Sequence, residues 1–387
     1  MLSRYYLPVA TTPTHESAVK RWVPGRLREP ILTELRRRPI PPHVPENSVR
    51  RVGSASDIAR VVVRRASRRA GRWTGVSQMY LDFFDRRVSR DLRAGDRAVV
   101  AVAGSARRTL RSAQRLGAVG FLDCPLAHHR FLDAVLKEEA RLVPDYAPTL
   151  QLYSERRLAW LDEELGYADR LFVLSTFERQ TFIDLGVEEE RVILWPLGVD
   201  LDLFRPGQRP DDGVFRIIFV GQITQRKGIS YLVEAFRQAS IPRSELVLVG
   251  QPVGAVDPWV RIPGIKHVPP MPRSQLPTVY ASADVFVLPS LVEGFGLTGM
   301  EAMACGLPVV LSEHTLGRDV ITDGVEGYVV PIRDPQAIAE HLQSLATDPD
   351  GRRRMGLAAR SRAEQYSWDA SGLFFADQIE TVLREAT

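Results

Sequence analysis

From about residue 98 onward, short apolar runs alternate along the chain with patterns typical of helices. The runs are rich in Val, Ile and Leu, and continuous runs of this kind are typical of parallel strands that helices cover on both faces. The pattern therefore predicts an α/β protein, with strands at about 98–103, 119–123, 171–174, 192–195, 216–221, 246–250 and 284–289.

The length of the chain and one interruption predict two domains. At 387 residues the chain exceeds the size that a single hydrophobic core usually supports. The segment Pro196–Pro210 interrupts the alternation with three prolines and two glycines, and the next strand begins near Phe215. We predict two Rossmann-like, doubly wound domains, at 1–205 and 206–365, followed by a C-terminal segment at 366–387.

The C-terminal segment contains Tyr366-Ser367-Trp368 and then an amphipathic helix from about Ala370 to Arg384. We expect this helix to pack back toward the N-terminal domain. Trp368 could belong to that packing or be an ordinary core anchor, and we favour the second interpretation.

The first residues are harder to interpret. The segment from Pro8 to Pro45 is rich in proline and arginine and shows no clear opening strand with a glycine-rich turn. No signal-peptide segment is visible, and no run approaches the roughly 18 apolar residues that span a bilayer. We expect a cytoplasmic protein. The two cysteines, Cys124 and Cys305, do not indicate a disulfide framework.

Charge divides unevenly along the chain. The net charge of +4 is the sum of +16 over residues 1–115 and −12 over the remainder. Runs such as Arg36–Arg38 and Arg64–Arg69 can attract anionic lipid headgroups, whereas a solvated arginine-rich surface is the alternative. Because no aromatic-rich or helix-turn-helix pattern accompanies the charge, we expect no nucleic-acid partner but a peripheral contact with the inner face of an anionic membrane.

The strongest chemical pattern runs from Asp284 to Pro308 and predicts a strand, a loop and a short helix. The helix should begin near Thr298 and end at Gly306. Its N-terminus offers free amides to a phosphate, and the glycines before it allow a ligand to approach the backbone.

Two carboxylates flank this loop, Glu293 and Glu301, and both suit sugar hydroxyls better than phosphates. We assign Glu293 to a glycosyl group and Glu301 to a ribose. Each has a structural alternative. Thr298-x-x-Glu301 matches a capping box, and Glu293 could be a solvated loop carboxylate.

A second pattern, from Phe219 to Gly228, places two adjacent cations in a loop between a strand and a helix. It is not a phosphate-binding P-loop, which needs Gly before Lys and Ser or Thr after it. Lys227 could nevertheless neutralise a diphosphate leaving group, and solvated surface charge is the alternative.

A third pattern ends the strand at Gly120–Asp123 with Cys124-Pro-Leu-Ala-His128-His129. The end of a parallel strand faces the ligand in doubly wound folds, so His128 or His129 could orient a hydroxyl or transfer a proton. A hydrogen-bonded structural histidine is the alternative.

Taken together, these patterns resemble the retaining glycosyltransferases of the GT-B fold, in the group 1 (family 4) type that includes bacterial mannosyl- and glucosyltransferases. The resemblance extends from about residue 115 to the end. It rests on the spacing of Glu293 and Glu301, on Lys227-Gly228, on Gly198-Val-Asp200 with Phe204, and on Pro289-Ser290, Gly306-x-Pro308 and Ser367-Trp368.

The resemblance implies transfer of a hexose from a UDP- or GDP-linked donor to a glycan, lipid or small-molecule hydroxyl, with retained configuration and no metal ion. Residues 1–205 would bind the acceptor and residues 206–365 the donor. The implied catalytic residues are His128, Lys227 and Glu293. The implied donor-binding residues are Gly221, Arg226, Lys227, Glu293, Gly294, Phe295, Gly296, Leu297 and Glu301.

One departure from the family concerns the diphosphate loop, where Gln222 stands in place of the usual Arg, so that the second cation would have to be Arg226. A second concerns the opening strand and glycine-rich turn of the family, neither of which residues 1–45 show. Either the first strand-helix unit is missing or this branch of the family is divergent. Two rival functions remain open. One is a GT-B sugar-nucleotide epimerase, which needs no acceptor, and the other is a non-catalytic sugar-nucleotide-binding or membrane-surface protein.

Overall fold

The computed structural model describes residues 5–7, 49–51, 74–253 and 262–386. The chain divides into two compact units. Unit 1 comprises Met1–Leu122 and Trp160–Ala168, and unit 2 comprises Asp123–Ala159 and Asp169–Thr387. These units differ from the two predicted domains, and the boundary near residue 205 stays a prediction.

Strands and helices alternate through most of the described chain. The strands are β1 Tyr5–Leu7, β2 Val49–Arg51, β3 Ala98–Val102, β4 Val119–Asp123, β5 Arg170–Val173, β6 Val192–Leu194, β7 Phe215–Val220, β8 Ser244–Val249, β9 Ile265–Val268, β10 Val285–Leu288, β11 Val309–Ser312 and β12 Gly327–Val330. The helices are α1 Thr74–Asp91, α2 Arg107–Arg115, α3 His129–Leu142, α4 Glu155–Gly166, α5 Thr176–Ile183, α6 Ile229–Ala239, α7 Leu276–Ala281, α8 Leu297–Ala304, α9 Gly317–Val320, α10 Pro335–Thr347, α11 Pro349–Ala363 and α12 Trp368–Glu385.

A six-stranded parallel sheet dominates unit 2, in the order β12-β11-β10-β7-β8-β9. The chain runs outward from β7 through β8 and β9, and then returns to the other side of β7 for β10 to β12. All four residues of β10 are buried, as the continuous apolar run predicts for a strand covered on both faces. The strand order reverses between β7 and β10.

A buried carboxylate fixes these two central strands relative to each other. Asp284, just before β10, accepts a hydrogen bond from the backbone N–H of Arg216 in β7 at 2.8 Å. The same carboxylate pairs with Arg352 Nε at 3.1 Å and with Arg209. The starts of β7 and β10 are thereby held in register.

Unit 1 contains β1 to β3, most of β4, and helices α1 and α2. Two buried carboxylates bind the backbone where α2 begins. Asp85 accepts hydrogen bonds from the N–H groups of Arg108 and Thr109, at 2.7 and 2.8 Å. Glu164 accepts from those of Gly104 and Ala106, at 2.6 and 2.5 Å. Three of these N–H groups, those of Ala106, Arg108 and Thr109, belong to the N-terminus of α2, which leaves them without intrahelical partners.

The seven predicted strands are confirmed to within two residues at each end. The structure adds a short strand that the sequence did not show, Tyr5–Leu7, which pairs in parallel with Val49–Arg51. Three residues before Pro8 carry too little periodicity to reveal it. The absence of a first strand-helix unit stays a prediction, because residues 8–48 lie outside the described residues. The proline-rich segment after β1 and the basic runs at 36–38 and 64–69 lie outside the described residues.

The packing of helix α12 decides between the two interpretations of Trp368. Trp368 is 40% exposed, so its interpretation as a core anchor is wrong. The helix packs instead through Phe375, whose ring lies 4.7 Å from that of Phe172 and 4.4 Å from that of Trp195. Trp195 Nε1 also donates to the carbonyl of Ser371 at 3.0 Å.

Candidate functional site

Two loops leave the carboxyl ends of β7 and β10, the neighbouring strands between which the strand order reverses. In open parallel sheets, ligands bind at this kind of position, outside the carboxyl ends of the strands. The first loop spans residues 221–228 and the second spans residues 289–296. They contain most of the side chains that the sequence singles out.

Gly228 brings the two loops into contact. A 3₁₀ turn at Gln225–Lys227 ends at Gly228, which has φ of 72° in the left-handed region. A Cβ atom at Gly228 would lie 2.0 Å from the carbonyl oxygen of Pro289. Only glycine fits this position without displacing the second loop.

The two cations of the first loop converge on the carboxylate of the second. Arg226 Nη1 donates to Glu293 Oε1 at 2.8 Å and to the carbonyl of Val292 at 2.7 Å. Lys227 Nζ pairs with the same Glu293 oxygen. Ser290 Oγ donates to it at 3.2 Å. Arg226 thus supplies a second cation beside Lys227. The sequence left this second cation uncertain, because Gln222 stands where the resemblance implies an Arg.

Glu293 is buried and nevertheless ionised. Burial by itself would raise its pKa, but the charges and hydrogen bonds of Lys227 and Arg226 outweigh that effect and lower the pKa to about 2. Its interpretation as a solvated loop carboxylate is therefore wrong, and the 12% exposure of the Lys227 side chain rules out the solvated alternative there. Within the described part of the chain, Glu293 Oε2 accepts no hydrogen bond.

The backbone after Glu293 is held closely before it enters α8. A Cβ atom at Gly294 would lie 2.3 Å from the Pro125 carbonyl oxygen, and Ser175 Oγ donates to the Gly294 carbonyl at 2.5 Å. Phe295 is buried, and Gly296, with φ of 91°, precedes the first helical residue, Leu297. No described side chain caps the N-terminus of α8, so the positive end of the helix dipole faces the loop.

Glu301 does not form a capping box. The helix begins at Leu297, which places Glu301 five residues after Gly296 instead of three, beyond the reach of the N-cap amide. Its Oε1 accepts from Arg273 Nε at 3.0 Å, and its Oε2 accepts from Tyr280 Oη at 3.2 Å. Burial raises its pKa.

His128 caps a helix, as the structural alternative requires. Its Nδ1 accepts from the N–H of Arg130 in the first turn of α3 at 3.2 Å, and its own N–H donates to Thr181 Oγ1 at 3.0 Å. The ring is buried and stacks on His129 with centroids 4.3 Å apart. Because Pro125 contacts Gly294, the loop that ends at His128 lies against the Glu293 loop. A catalytic role for His128 stays a prediction.

Sequence reasoning missed two acidic residues beside the same loop. Glu178 is fully buried and lies 3.2 Å from the Cβ position at Gly294. Burial raises its pKa well above the usual value, and the nearby charges of Asp123 and Glu293 act in the same direction. Burial also raises the pKa of Asp123 to about 6. Ser175-x-x-Glu178 is a capping pattern that could have identified Glu178, and Ser175 Oγ accepts from the Glu178 N–H at 3.1 Å.

A third residue that sequence reasoning missed is Glu139, which binds the turn that carries Arg226 and Lys227. Glu139 of α3 is fully buried and accepts from Gln225 Nε2 at 2.7 Å, Tyr231 Oη at 2.9 Å and Arg333 Nε at 2.8 Å. Gln225 is the first residue of the turn that carries Arg226 and Lys227. Glu139 therefore fixes the base of that turn.

The comparisons with known proteins agree with this geometry. Residues 202–362 match the model of the family described as glycosyl transferases group 1. A D-inositol 3-phosphate glycosyltransferase of Kineococcus radiotolerans is 32% identical over 297 residues, which cover 66% of this chain and 67% of the relative. The chain belongs to the group 1 glycosyltransferases. A D-inositol 3-phosphate glycosyltransferase of Frankia alni is 34% identical over 241 residues, which cover 56% of this chain and 59% of the relative.

Solved structures show the fold of this group 1 glycosyltransferase. Anabaena HepE, solved in complex with UDP-glucose, has a TM-score of 0.60 at 15% identity, with 97% of this chain and 98% of that chain covered. The predicted α/β, GT-B fold is confirmed. This chain spans less than two-thirds of the length of the first three curated relatives, between 59% and 66%. Lys227, Glu293 and Glu301 fall inside the matched family region, and His128 falls outside it.

Acid should weaken the contribution of Glu293 to stability. Its folded-state pKa of about 2 lies below the usual 4.5, so the contribution is fully present above pH 4.5 and is lost as the pH falls toward 2. The free energy of unfolding of Glu293→Gln should lie about 3 kcal/mol below wild type at pH 7, and the difference should fall to roughly half at pH 3. Urea denaturation at both pH values measures it. For the exposed Glu380→Gln on α12, we expect a difference within about 0.5 kcal/mol at both. A Glu293 difference independent of pH would contradict the depressed pKa.

The neighbouring residues Glu138 and Glu139 provide a matched test of whether Glu139 stabilises the turn that carries Arg226 and Lys227. Glu139 and Glu138 both pair with Arg333 at 2.8 Å, but the Glu139 side chain is fully buried and that of Glu138 is 55% exposed. Glu139→Gln should lower the free energy of unfolding by about 3 kcal/mol, because it breaks a buried ion pair. Glu138→Gln should lower it by less than about 1 kcal/mol. Thermal unfolding compares the two, and equal effects would show that Glu139 has no special structural role.

Proposed function

We propose that this protein transfers a sugar from a nucleotide-diphosphate sugar to an acceptor hydroxyl, with retained anomeric configuration and without a metal ion. The observation that supports this most directly is the convergence of Arg226, Lys227 and Glu293 at the carboxyl ends of adjacent parallel strands. Membership in the group 1 glycosyltransferases supports the same reaction class.

Arg226 and Lys227 would bind the donor diphosphate. Negative charge develops on the diphosphate as the bond to the sugar breaks, and fixed cations stabilise that charge. Two adjacent cations in a largely buried position supply the charge compensation for which other enzymes use a metal ion. Glu293 holds both cations in place before a phosphate shares them.

Glu293 and the start of α8 would bind the donor sugar and its phosphate. The ionised carboxylate has its Oε2 atom available to accept a hydrogen bond from a sugar hydroxyl. The backbone amides from Gly294 to Leu297 precede and open a helix that has no side-chain cap, an arrangement that suits a phosphate oxygen. Glu301, oriented by Arg273 and Tyr280, would accept from the ribose hydroxyls.

Retention places the acceptor on the face that the diphosphate leaves. The bond from the anomeric carbon to the phosphate oxygen breaks, the bond to the acceptor oxygen forms, and a phosphate oxygen of the leaving group takes the hydroxyl proton. His128 would lie beside the reacting sugar.

The relatives support a choice of donor and acceptor classes to test first. HepE was solved with UDP-glucose, which favours a UDP-hexose over a GDP-linked donor. The curated relatives are named for D-inositol 3-phosphate, so a polyol phosphate is the first acceptor to test, before glycan and lipid-linked acceptors. The +16 charge of residues 1–115 would place the protein at the inner face of an anionic membrane, where lipid-linked acceptors are held.

Glu293→Ala and Lys227→Ala should each lower the rate of sugar transfer by roughly tenfold or more, because each removes a group that contacts the donor. Transfer is measured as release of UDP from UDP-glucose in the presence of D-inositol 3-phosphate or a glycan acceptor. Lys266→Ala, on an exposed lysine that pairs with Glu245, is the matched control and should keep the wild-type rate. Unchanged rates in both site variants would overturn the proposal.

Two further measurements separate the rival functions. An epimerase would convert the donor sugar when protein and donor are incubated alone. A non-catalytic binding protein would bind the donor in calorimetry and turn over none of the acceptors. Either result would replace transfer as the assigned activity.

A further inference from the structure

Helix α1 in unit 1 has an outward face of unusual composition. Met79 is 74% exposed and Phe83 is 49% exposed, and Arg86, Arg87 and Arg90 are exposed as well. At about 100° per residue, these five positions fall within an arc of about 100° on one side of the helix. We refer to Met79, Phe83, Arg86, Arg87 and Arg90 as the α1 stripe. The solvent face of a soluble helix usually carries polar residues without large apolar ones.

The opposite side of α1 is its packed face. Val88 is 5% exposed and Asp85 is fully buried, about 180° and 240° around the helix from Met79. The Asp85 carboxylate accepts from two N–H groups in the first turn of α2, those of Arg108 and Thr109. These hydrogen bonds fix the rotation of α1 about its own axis, with the stripe directed outward.

The stripe is also uniformly basic. No acidic residue lies within its arc. The nearest two, Asp82 and Asp91, each lie about 40° beyond one end of the arc. Asp82 pairs with Arg86 at 4.0 Å and with Arg108 at 3.4 Å. The stripe therefore presents three cations interspersed with two large apolar side chains, within a stretch of 115 residues whose net charge is +16.

We propose that the α1 stripe docks this protein onto an anionic lipid surface. Large apolar side chains enter the boundary between headgroups and acyl chains, while arginines bind the headgroup phosphates, so a helix of this composition lies in the plane of the surface. Among the described residues no helix has both the length and the apolar content to cross a bilayer. The inference rests on the membrane contact within the proposed function and not on sugar transfer.

The first experiment tests the arginines with vesicles of phosphatidylcholine, with and without phosphatidylserine. Wild type should sediment with the phosphatidylserine vesicles only, and less so as salt is raised. The triple variant Arg86→Gln, Arg87→Gln, Arg90→Gln should bind roughly a hundredfold more weakly, given the usual contribution of a basic residue near such a surface. The matched control Arg353→Gln, Arg354→Gln, Arg384→Gln removes the same charge from exposed positions on α11 and α12 and should bind like wild type.

The second experiment tests insertion of the apolar residues. Cys124 and Cys305 are both buried, so Met79→Cys can be labelled selectively with a polarity-sensitive fluorophore. Its emission should shift to the blue with phosphatidylserine vesicles and stay unchanged with phosphatidylcholine alone. Leu357→Cys on α11, a position that is 65% exposed in the wild type, should show no shift. This readout keeps the stripe arginines intact and does not depend on whether the triple variant folds.

Three results would overturn the inference. Equal loss of binding in both triple variants would mean that overall charge, and not the stripe, attracts the vesicles. An unshifted Met79→Cys label would mean that the stripe does not enter the lipid surface. Light scattering measures the molar mass of the protein in solution. A mass above that of one chain, lost in the variant Phe83→Ser, would assign the stripe to contact between copies of this chain. Vesicle binding is measured without donor and transfer to a soluble acceptor without vesicles, so failure of either proposal is distinguishable from failure of the other.

Discussion

The candidate site depends on one shared oxygen atom, Oε1 of Glu293. Arg226 and Lys227 would repel each other if they approached without an anion between them, and a buried carboxylate without cations would take up a proton. Each group is stable in its position because of the other two. The pKa of about 2 for Glu293 measures how far the two cations outweigh the effect of burial. In the proposed function, this ion cluster would bind a phosphate and a sugar hydroxyl side by side.

The course of the backbone places the residues that carry these three charges next to each other. The reversal of strand order places the ends of β7 and β10 next to each other, and Gly228 allows the loop after β7 to pack against Pro289. Glu139 then accepts a hydrogen bond from Gln225, so the turn that carries Arg226 and Lys227 is held by Glu139 as well as by the contact with Pro289. Rigid support of this type would keep the proposed catalytic groups within the narrow geometry that sugar transfer requires.

Much of the fold could be predicted because the central strands are continuous apolar runs. Three later strands, β9, β11 and β12, escaped prediction. β9 contains the exposed Lys266 and His267, and β12 begins with a glycine. β11 is apolar and buried, but it has only four residues and directly follows Pro308. In each case the neighbouring strands supply the hydrogen bonds that define the element, and local sequence shows little of them.

The same distinction applies to the site. Lys227 and Glu293 stand in loops whose glycines and flanking strands are visible within ten residues. Glu139 lies 86 positions from Gln225, so only the folded chain shows that the two residues touch. Glu301 illustrates the opposite error. Its local sequence contains a capping pattern, but the helix begins two residues before the position that this pattern requires.

The fixed rotation of α1 has a consequence for how an acceptor is found. Adsorption of this helix face to lipid, as proposed above, would hold unit 1 in a single orientation, because α1 cannot roll about its axis without breaking the Asp85 hydrogen bonds. The search for a lipid-linked acceptor would then become lateral diffusion in two dimensions. The rate of encounter would depend on the effective concentration of acceptor within the membrane, which exceeds its concentration averaged over the cell volume.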